Sequence, residues 1–523
     1  MKNQTDSRLS LEFLRGRPTP SALLSQLAKS PVLRVVLACV LVAWASLQLY
    51  WFCYLPPLYL DFVDSEEIRP QHNESLPFPE GQHGRFIRFG NQLWGVGVNE
   101  ALQEVFINSY IAHLSNRAYV FQPYQWDLAA SNYIAIEDES ETTKSSSFVP
   151  SLLKPANYRP NRMPLSAYIQ SPTIGVTSTR KTSPHSNQSP RAISEKWWNH
   201  VCPPEKQVFL NTDAINKQIG MDDINSFEGN VIIERWAKYL RDLDAGCVHI
   251  LKGTPRIIGD ALFESDRINS IWKGFARSPV LTEFNWSPLV LQAVEHNAHL
   301  IRRASRLWNN KGTATDVDPA KEYVPRLVAV HIPHGGWRSY CDEISEHGEF
   351  NGWAHLTADS SRVLPNADAW HPPWARKQYA FDRCFIDDVH RIARKLDSVR
   401  HTRVRDPYFA DASRGDLDTL FVATDAEEDW IEDLKAILAP RGWDVITSWD
   451  LELSARERGV STAINMEILS RAEVFVGAGF SAMTSNVIQL RLSRGLPPPP
   501  GPFSIISFFG VLSRVLFDLP SLD

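Results

Sequence analysis

The run from Val35 to Leu55, VVLACVLVAWASLQLYWFCYL, carries no charge and is almost wholly apolar. A helix rises 1.5 Å per residue, so about 20 residues cross the hydrocarbon core of a bilayer. The run is long enough to span, which would put the chain before it and the chain after it on opposite sides of a membrane. It starts too deep in the chain for a cleaved secretory signal, and it ends bulkily, at Trp51, Phe52, Cys53 and Tyr54. Trp51 and Tyr54 suit an interfacial belt; a buried core helix is the other use of such a run. Lys2, Arg8, Arg15, Arg17, Lys29 and Arg34 precede it, whereas Asp61, Asp64, Glu66 and Glu67 come after it, opposed only by Arg69. The positive-inside rule then places residues 1–34 in the cytosol, 35–55 in the membrane as a signal-anchor, and the rest in a lumen.

A lumenal body makes its cysteines candidates for disulfides. Of six in the chain, Cys39 and Cys53 lie in the apolar run, leaving Cys202, Cys247, Cys341 and Cys384. Four cysteines allow three connectivities; sequence-local pairing, 202 with 247 and 341 with 384, is expected. Asn73-Glu-Ser75 is a usable glycosylation sequon, whereas Asn187-Gln-Ser189 and Asn285-Trp-Ser287 are each followed by Pro. With a net charge of -6, the chain has no basic field for gripping nucleic acid.

At 523 residues the chain is too long for one ordinary core. Residues 56–84 are rich in Pro and acid without apolar periodicity and read as a stem. From Arg85 the pattern becomes strand, glycine turn, helix, strand, with Asn91 as the expected cap of the helix. The segments 138–147 and 180–190 are polar insertions. In the second half, short apolar runs at 327–330, 420–423 and 474–476 alternate with helical spacing at 381–396 and 430–438. Strands alternating with helices predict parallel sheets covered on both faces. The expectation is an α/β fold of two Rossmann-like domains, 85–315 and 316–495, facing a cleft, with a tail at 496–523.

In open α/β sheets, ligands sit beyond the carboxyl ends of the strands. Three loops are expected there. Arg88-Phe-Gly-Asn-Gln92 joins a glycine to a helix N-terminus, which is either an anion site or a plain cap. His331-Ile-Pro-His-Gly-Gly-Trp337 leaves a buried strand. Gly477-Ala-Gly-Phe-Ser481-Ala-Met-Thr484 orders glycines, hydroxyls and a helix as a pyrophosphate cradle would. The D-x-D pairs Asp242/Asp244, Asp316/Asp318 and Asp416/Asp418 could hold a metal, but none directly follows a convincing strand, and they read as solvated surface.

Taken in order, RFGNQ at 88–92, LSNRAYVF at 114–121, VAVHIPHGGW at 328–337, FVATDAEED at 421–429 and INMEILSRAEVFVGAGFSAMT at 464–484 resemble the motifs of the protein O-fucosyltransferases and related fungal proteins. The resemblance implies a GT-B fold, a Golgi or ER location, and inverting transfer of fucose from GDP-fucose to a protein or glycan hydroxyl. It implies no metal and no other cofactor. It also implies that Phe89, Gly90 and Asn91 line the donor site and that His331 contacts the nucleotide. Ser481 with the amides of Ala482 and Met483 would hold the phosphates. Three positions depart from the pattern, one of them Gly336, which replaces the acidic residue of the family's arginine block. Pro333 stands where the family has an arginine that neutralises the departing diphosphate, with Arg338 or His334 as substitutes. Asn465 stands where an aspartate accepts two guanine N–H bonds. A catalytically silent binder of the same fold, or a transferase using another sugar nucleotide, are the alternatives these departures raise.

A lumenal body predicts that glycosidase treatment shifts the protein on a gel and that Asn73→Ala abolishes most of that shift. No shift at any sequon would contradict the topology.

Overall fold

The computed structural model describes residues 31–54, 59–125, 162–176, 189–303, 323–345, 350–356, 373–405, 417–494 and 496. The segment 138–147, most of 180–190, residues 316 and 318, and the tail from 497 lie outside them. By its contacts the chain divides into two units, one holding residues 1–57 and 132–160, the other 58–131 and 161–523.

The first unit contains helix α1, Pro31–Tyr54, of 24 residues. Val35, Val36, Val40, Leu41 and Val42 are 52–65% exposed, an outward apolar face of the kind the sequence run implies. Among the described residues no helix is long and apolar enough to cross a membrane; the side chains at 47–54 are outside that set.

The second unit is α/β, as the alternating pattern predicts. Strands β1 (Phe86–Phe89), β2 (Ala118–Phe121), β5 (Ile193–Ser194), β6 (Gln207–Leu210) and β7 (Cys247–Ile250) form a sheet in the order β5-β2-β1-β7-β6. Every neighbouring pair in it is parallel. A second parallel sheet has the order β10-β9-β8-β11, from β8 (Val324–His331), β9 (Thr419–Ala423), β10 (Asp444–Thr447) and β11 (Ala472–Gly477). A short antiparallel pair, β3 (Tyr124–Gln125) and β4 (Arg162–Met163), completes the described strands. The four-residue apolar runs became strands because helices cover both faces: β9 and β11 are buried along their whole length.

Three expectations change on contact with the structure. The stretch 59–84 is no free stem. Its helix α2, Leu60–Glu67, and the turns after it are tied down by polar groups, which apolar periodicity does not report. Glu66 is buried and accepts the Ser166 N–H at 2.9 Å, Glu80 pairs with Arg191 at 2.6 Å, and Arg456 pairs with Asp61. Asn91 caps no helix: helix α3 runs Val98–Leu114 from an N-cap at Gly97. Gly95, at φ +78°, turns the chain first, and Asn91 donates instead to Pro255 O at 2.7 Å. The helical spacing at 381–396 is split into Pro373–Cys384 and Val389–Arg405; Asp388 Oδ1 accepts the N–H of His390 and so restarts the helix.

Both expected disulfides are present, Cys202–Cys247 and Cys341–Cys384. The first ties the end of helix Glu195–Val201 to β7, and the second joins the helices at Trp337–Ile344 and Pro373–Cys384.

The two sheets share one apolar cluster, in which Phe106, Trp286, Phe475 and Val487 take part. Polar contacts reinforce it. Gln103 Nε2 donates to Asn351 Oδ1 and Ser485 Oγ, each at 2.8 Å. Three further helices border the second sheet: α4 (Ala455–Gly459), α5 (Ser461–Arg471) and α6 (Ala482–Ser493). Glu467 of α5 is fully buried and accepts from Trp286 Nε1 at 2.8 Å, Arg471 at 2.5 Å and Arg494 at 2.7 Å. Burial is the largest influence and acts to raise its pKa, but Arg494 and Arg471 together outweigh it and hold the carboxyl below its ordinary value.

With the folded value depressed, this group's contribution to stability is complete above the unfolded Glu pKa of about 4.3 and is lost as pH falls through the folded value. Glu467→Gln should cost about 3–5 kcal/mol at pH 7, the usual cost of breaking a buried pair. The urea midpoints of the two proteins should draw together as pH falls below the unfolded Glu pKa of about 4.3; equal midpoints at pH 7 would contradict the role.

Candidate functional site

β8, β9 and β10 all end at one edge of the second sheet, at His331, Ala423 and Thr447. Beyond that edge lies a cavity of about 670 Å³. Its walls come from the strand ends (His331, Pro333, Thr424, Asp425 and Ser448), from Trp449, Leu451, Leu453 and Arg458, and from the first half of α5 (Ser461, Thr462 and Asn465). Asn99, at the start of α3, and Met483, at the start of α6, close it.

The chemistry at its inner end is largely neutral. His331 is buried, and its Nδ1 lies 3.0 Å from Thr484 Oγ1. Burial drives its pKa down to about 4 against the opposing pull of Asp425, so at neutral pH the ring is an uncharged donor or acceptor. Asp425 Oδ1 accepts the N–H of His334 at 2.6 Å. A Cβ on Gly335 would stand 2.5 Å from Asp425 Oδ2, so a larger residue there would displace that carboxylate. The Asn465 side-chain oxygen is buried with no hydrogen-bond partner.

The glycine loop after β11 is packed with the protein's own side chains. A Cβ on Gly477 would meet Thr484 at 2.5 Å, and one on Gly479 would meet Phe350 at 2.5 Å. Ser481 is the N-cap of α6, and its Oγ accepts the Met483 N–H at 3.2 Å. Ser481 and Ala482 are buried, and Met483 is the residue of this loop that lines the cavity.

The first sheet has its own cavity of about 630 Å³, lined by Arg88, Gly90, Asn91, Trp94, Arg162, Glu195 and the loop Lys252–Arg256. Phe89 is 1% exposed and belongs to the core below. Arg88 pairs with Glu195. Under the loop, Glu104 accepts the Leu93 N–H at 2.8 Å. Burial lifts its pKa to about 7 although Arg256, 3.7 Å away, opposes the shift. Residues 90–94 line this cavity and Asn99 lines the other, so one short segment joins them.

The residues expected at the donor site are spread over the second unit. His331, Asn465 and Met483 line one cavity, Gly90 and Asn91 line the other, and Phe89, Ser481 and Ala482 are buried and line neither. His334 and Arg338 line neither cavity. His334 Nε2 is 3.0 Å from Asp387 Oδ1, with its ring beside Trp430 and Phe385. Arg338 lies over Phe381 and Phe385, 5.8 and 5.4 Å from the ring centroids. Of the D-x-D residues, Asp242 and Asp244 are exposed and Asp418 pairs with Arg326. Among the described residues no cluster of His, Cys, Asp or Glu is placed to hold a metal.

Trp449 and Arg458 are not singled out by the sequence patterns above. The run Asp444–Thr447 before Ser448-Trp449 is the signal that could have found Trp449: a strand end followed by an unburied aromatic.

No family model and no curated protein matches the chain. Among solved structures it is similar to POFUT1 in complex with GDP-fucose, at 13% identity and a TM-score of 0.43, over 82% of this chain and 98% of that one. It is similar to POFUT1 in complex with GDP at 13% identity and a TM-score of 0.41, over 79% and 96%. The apo form of POFUT1 matches at 12% identity and a TM-score of 0.42, over 79% and 96%. Likenesses of that size do not bear on chemistry.

Proposed function

We propose that this chain is a sugar-nucleotide-binding protein of glycosyltransferase type, with a GT-B arrangement of its two sheets. The cavity at the second sheet takes the nucleotide and the cavity at the first takes the acceptor. The observation that carries this reading is the convergence of three parallel strand ends on a cavity that holds an unpartnered buried amide oxygen, Asn465 Oδ1. Parallel sheets bind ligands at this edge, and a buried acceptor without a partner is costly unless a ligand supplies the donor.

The resemblance of the sequence motifs supports GDP-fucose as the donor and inverting, metal-independent transfer to a protein or glycan hydroxyl as the reaction. The charge-free run Val35–Leu55 and its flanks support a type II anchor in the Golgi or ER, with the body lumenal, a topology the Asn73 glycan tests. A second reading, a silent binder of the same fold, is favoured by one observation: Pro333 lines the cavity while Arg338 and His334 face Phe385. Pro333 supplies no cation for a leaving diphosphate, and Arg458 is the cation that lines the cavity; were Arg458 not to reach the diphosphate, transition-state stabilisation would lose several kcal/mol.

Calorimetric titration of the full-length chain with GDP-fucose, GDP and UDP-sugars is expected to give selective binding of a nucleotide. Turnover gained with Pro333→Arg, where the wild type only binds, would identify the silent binder. No binding by any of them would contradict the cavity's assignment.

A further inference from the structure

We infer that Trp449 is the platform on which the nucleobase of the bound ligand stacks, with Asn465 reading the base edge and Arg458 beside it. The inference rests on the nucleotide reading of the second-sheet cavity and names how that cavity holds its ligand.

Trp449 is 70% exposed, and of the tryptophans whose side chains are described only it and Trp44 of α1 are exposed. The others pack inside, as large apolar rings ordinarily do. Nor is this exposure the accident of a loose loop. Trp449 sits in a short turn, Ser448–Asp450, closed by a capping box. Thr447 donates to Asp450 Oδ2 from its N–H at 2.7 Å and from its hydroxyl at 2.8 Å. The Trp449 N–H donates to Thr447 Oγ1 at 3.3 Å, and Lys435 lies 3.4 Å from Asp450. The turn therefore presents an indole to the cavity on a fixed backbone, which is what a stacking platform needs.

Two further lining residues match a base in particular. Asn465 brings the unpartnered buried oxygen, and an amide offers one acceptor and one donor. That pair complements any base edge with an N–H next to an acceptor: N3–H and O4 of uracil, or N1–H and O6 of guanine. A carboxylate offers acceptors only, and among the bases only guanine sets two N–H groups side by side. Arg458 donates one N–H to Leu453 O at 2.7 Å while its side chain lines the cavity, adding positive charge for a diphosphate. Its helix α4 is braced from behind, where Tyr59 Oη donates to Arg456 O at 2.7 Å.

The test is calorimetric titration of the full-length chain with UDP, GDP, ADP and inorganic pyrophosphate, for the wild type, Trp449→Ala, Trp449→Phe and Asn465→Asp. Base–aromatic stacking accounts for about 1–3 kcal/mol, so Trp449→Ala should weaken the best nucleoside diphosphate by about 5- to 150-fold. Its pyrophosphate affinity should stay at the wild-type value, and Trp449→Phe should recover most of the loss. Asn465→Asp should shift preference towards GDP. Unchanged nucleotide affinity in Trp449→Ala, with the wild type binding, overturns the inference and leaves the parent reading standing. A wild type that binds no nucleotide overturns both.

Discussion

A buried carboxylate holds this fold in register. Glu467 is enclosed and bonded to Trp286, 181 residues before it, and to Arg471 and Arg494 close by in sequence. Leaving such a group unpaired would cost several kcal/mol, so the three donors and the helix that carries it are fixed together. That helix, α5, turns Glu467 inward and sets Asn465, Ser461 and Thr462 on the cavity. The helix that anchors this contact thus also positions residues that line the second-sheet cavity.

Much of the scaffold was legible in the sequence because burial on both faces writes itself as short apolar runs. Leu327–Val330, Leu420–Ala423 and Val474–Val476 each became a strand of the second sheet, and the cysteines paired locally. Polar tethering left no such trace. The segment after the apolar run looked free because its anchors, Glu66 to Ser166 and Glu80 to Arg191, are far apart in sequence. The start of α3 was misjudged because Asn91 has the chemistry of a cap, whereas Gly95 and Gly97 decide where the chain can turn.

The candidate site was half legible. Strand ends predict where a cavity forms, and His331, Asn465 and Met483 do line one. The glycines of 477–479 pack closely against Thr484 and Phe350, and sequence does not distinguish an approaching side chain from an approaching phosphate. Arg458 was hidden in a charged run, Ala455–Gly459, that resembles any solvated helix. The cavity is lined by neutral His331, Pro333 and Asp425 at the strand ends, and the cation that lines it, Arg458, comes from α4.

The central claim is that the nucleotide enters at the carboxyl edge of the second sheet. Hydrogen–deuterium exchange of the full-length chain, with and without GDP-fucose, tests it most directly. The account predicts slowed exchange at 423–425 and 448–465, the strand ends and the helices that face the cavity. Protection confined to 88–94 and 252–256, around the other cavity, would contradict it.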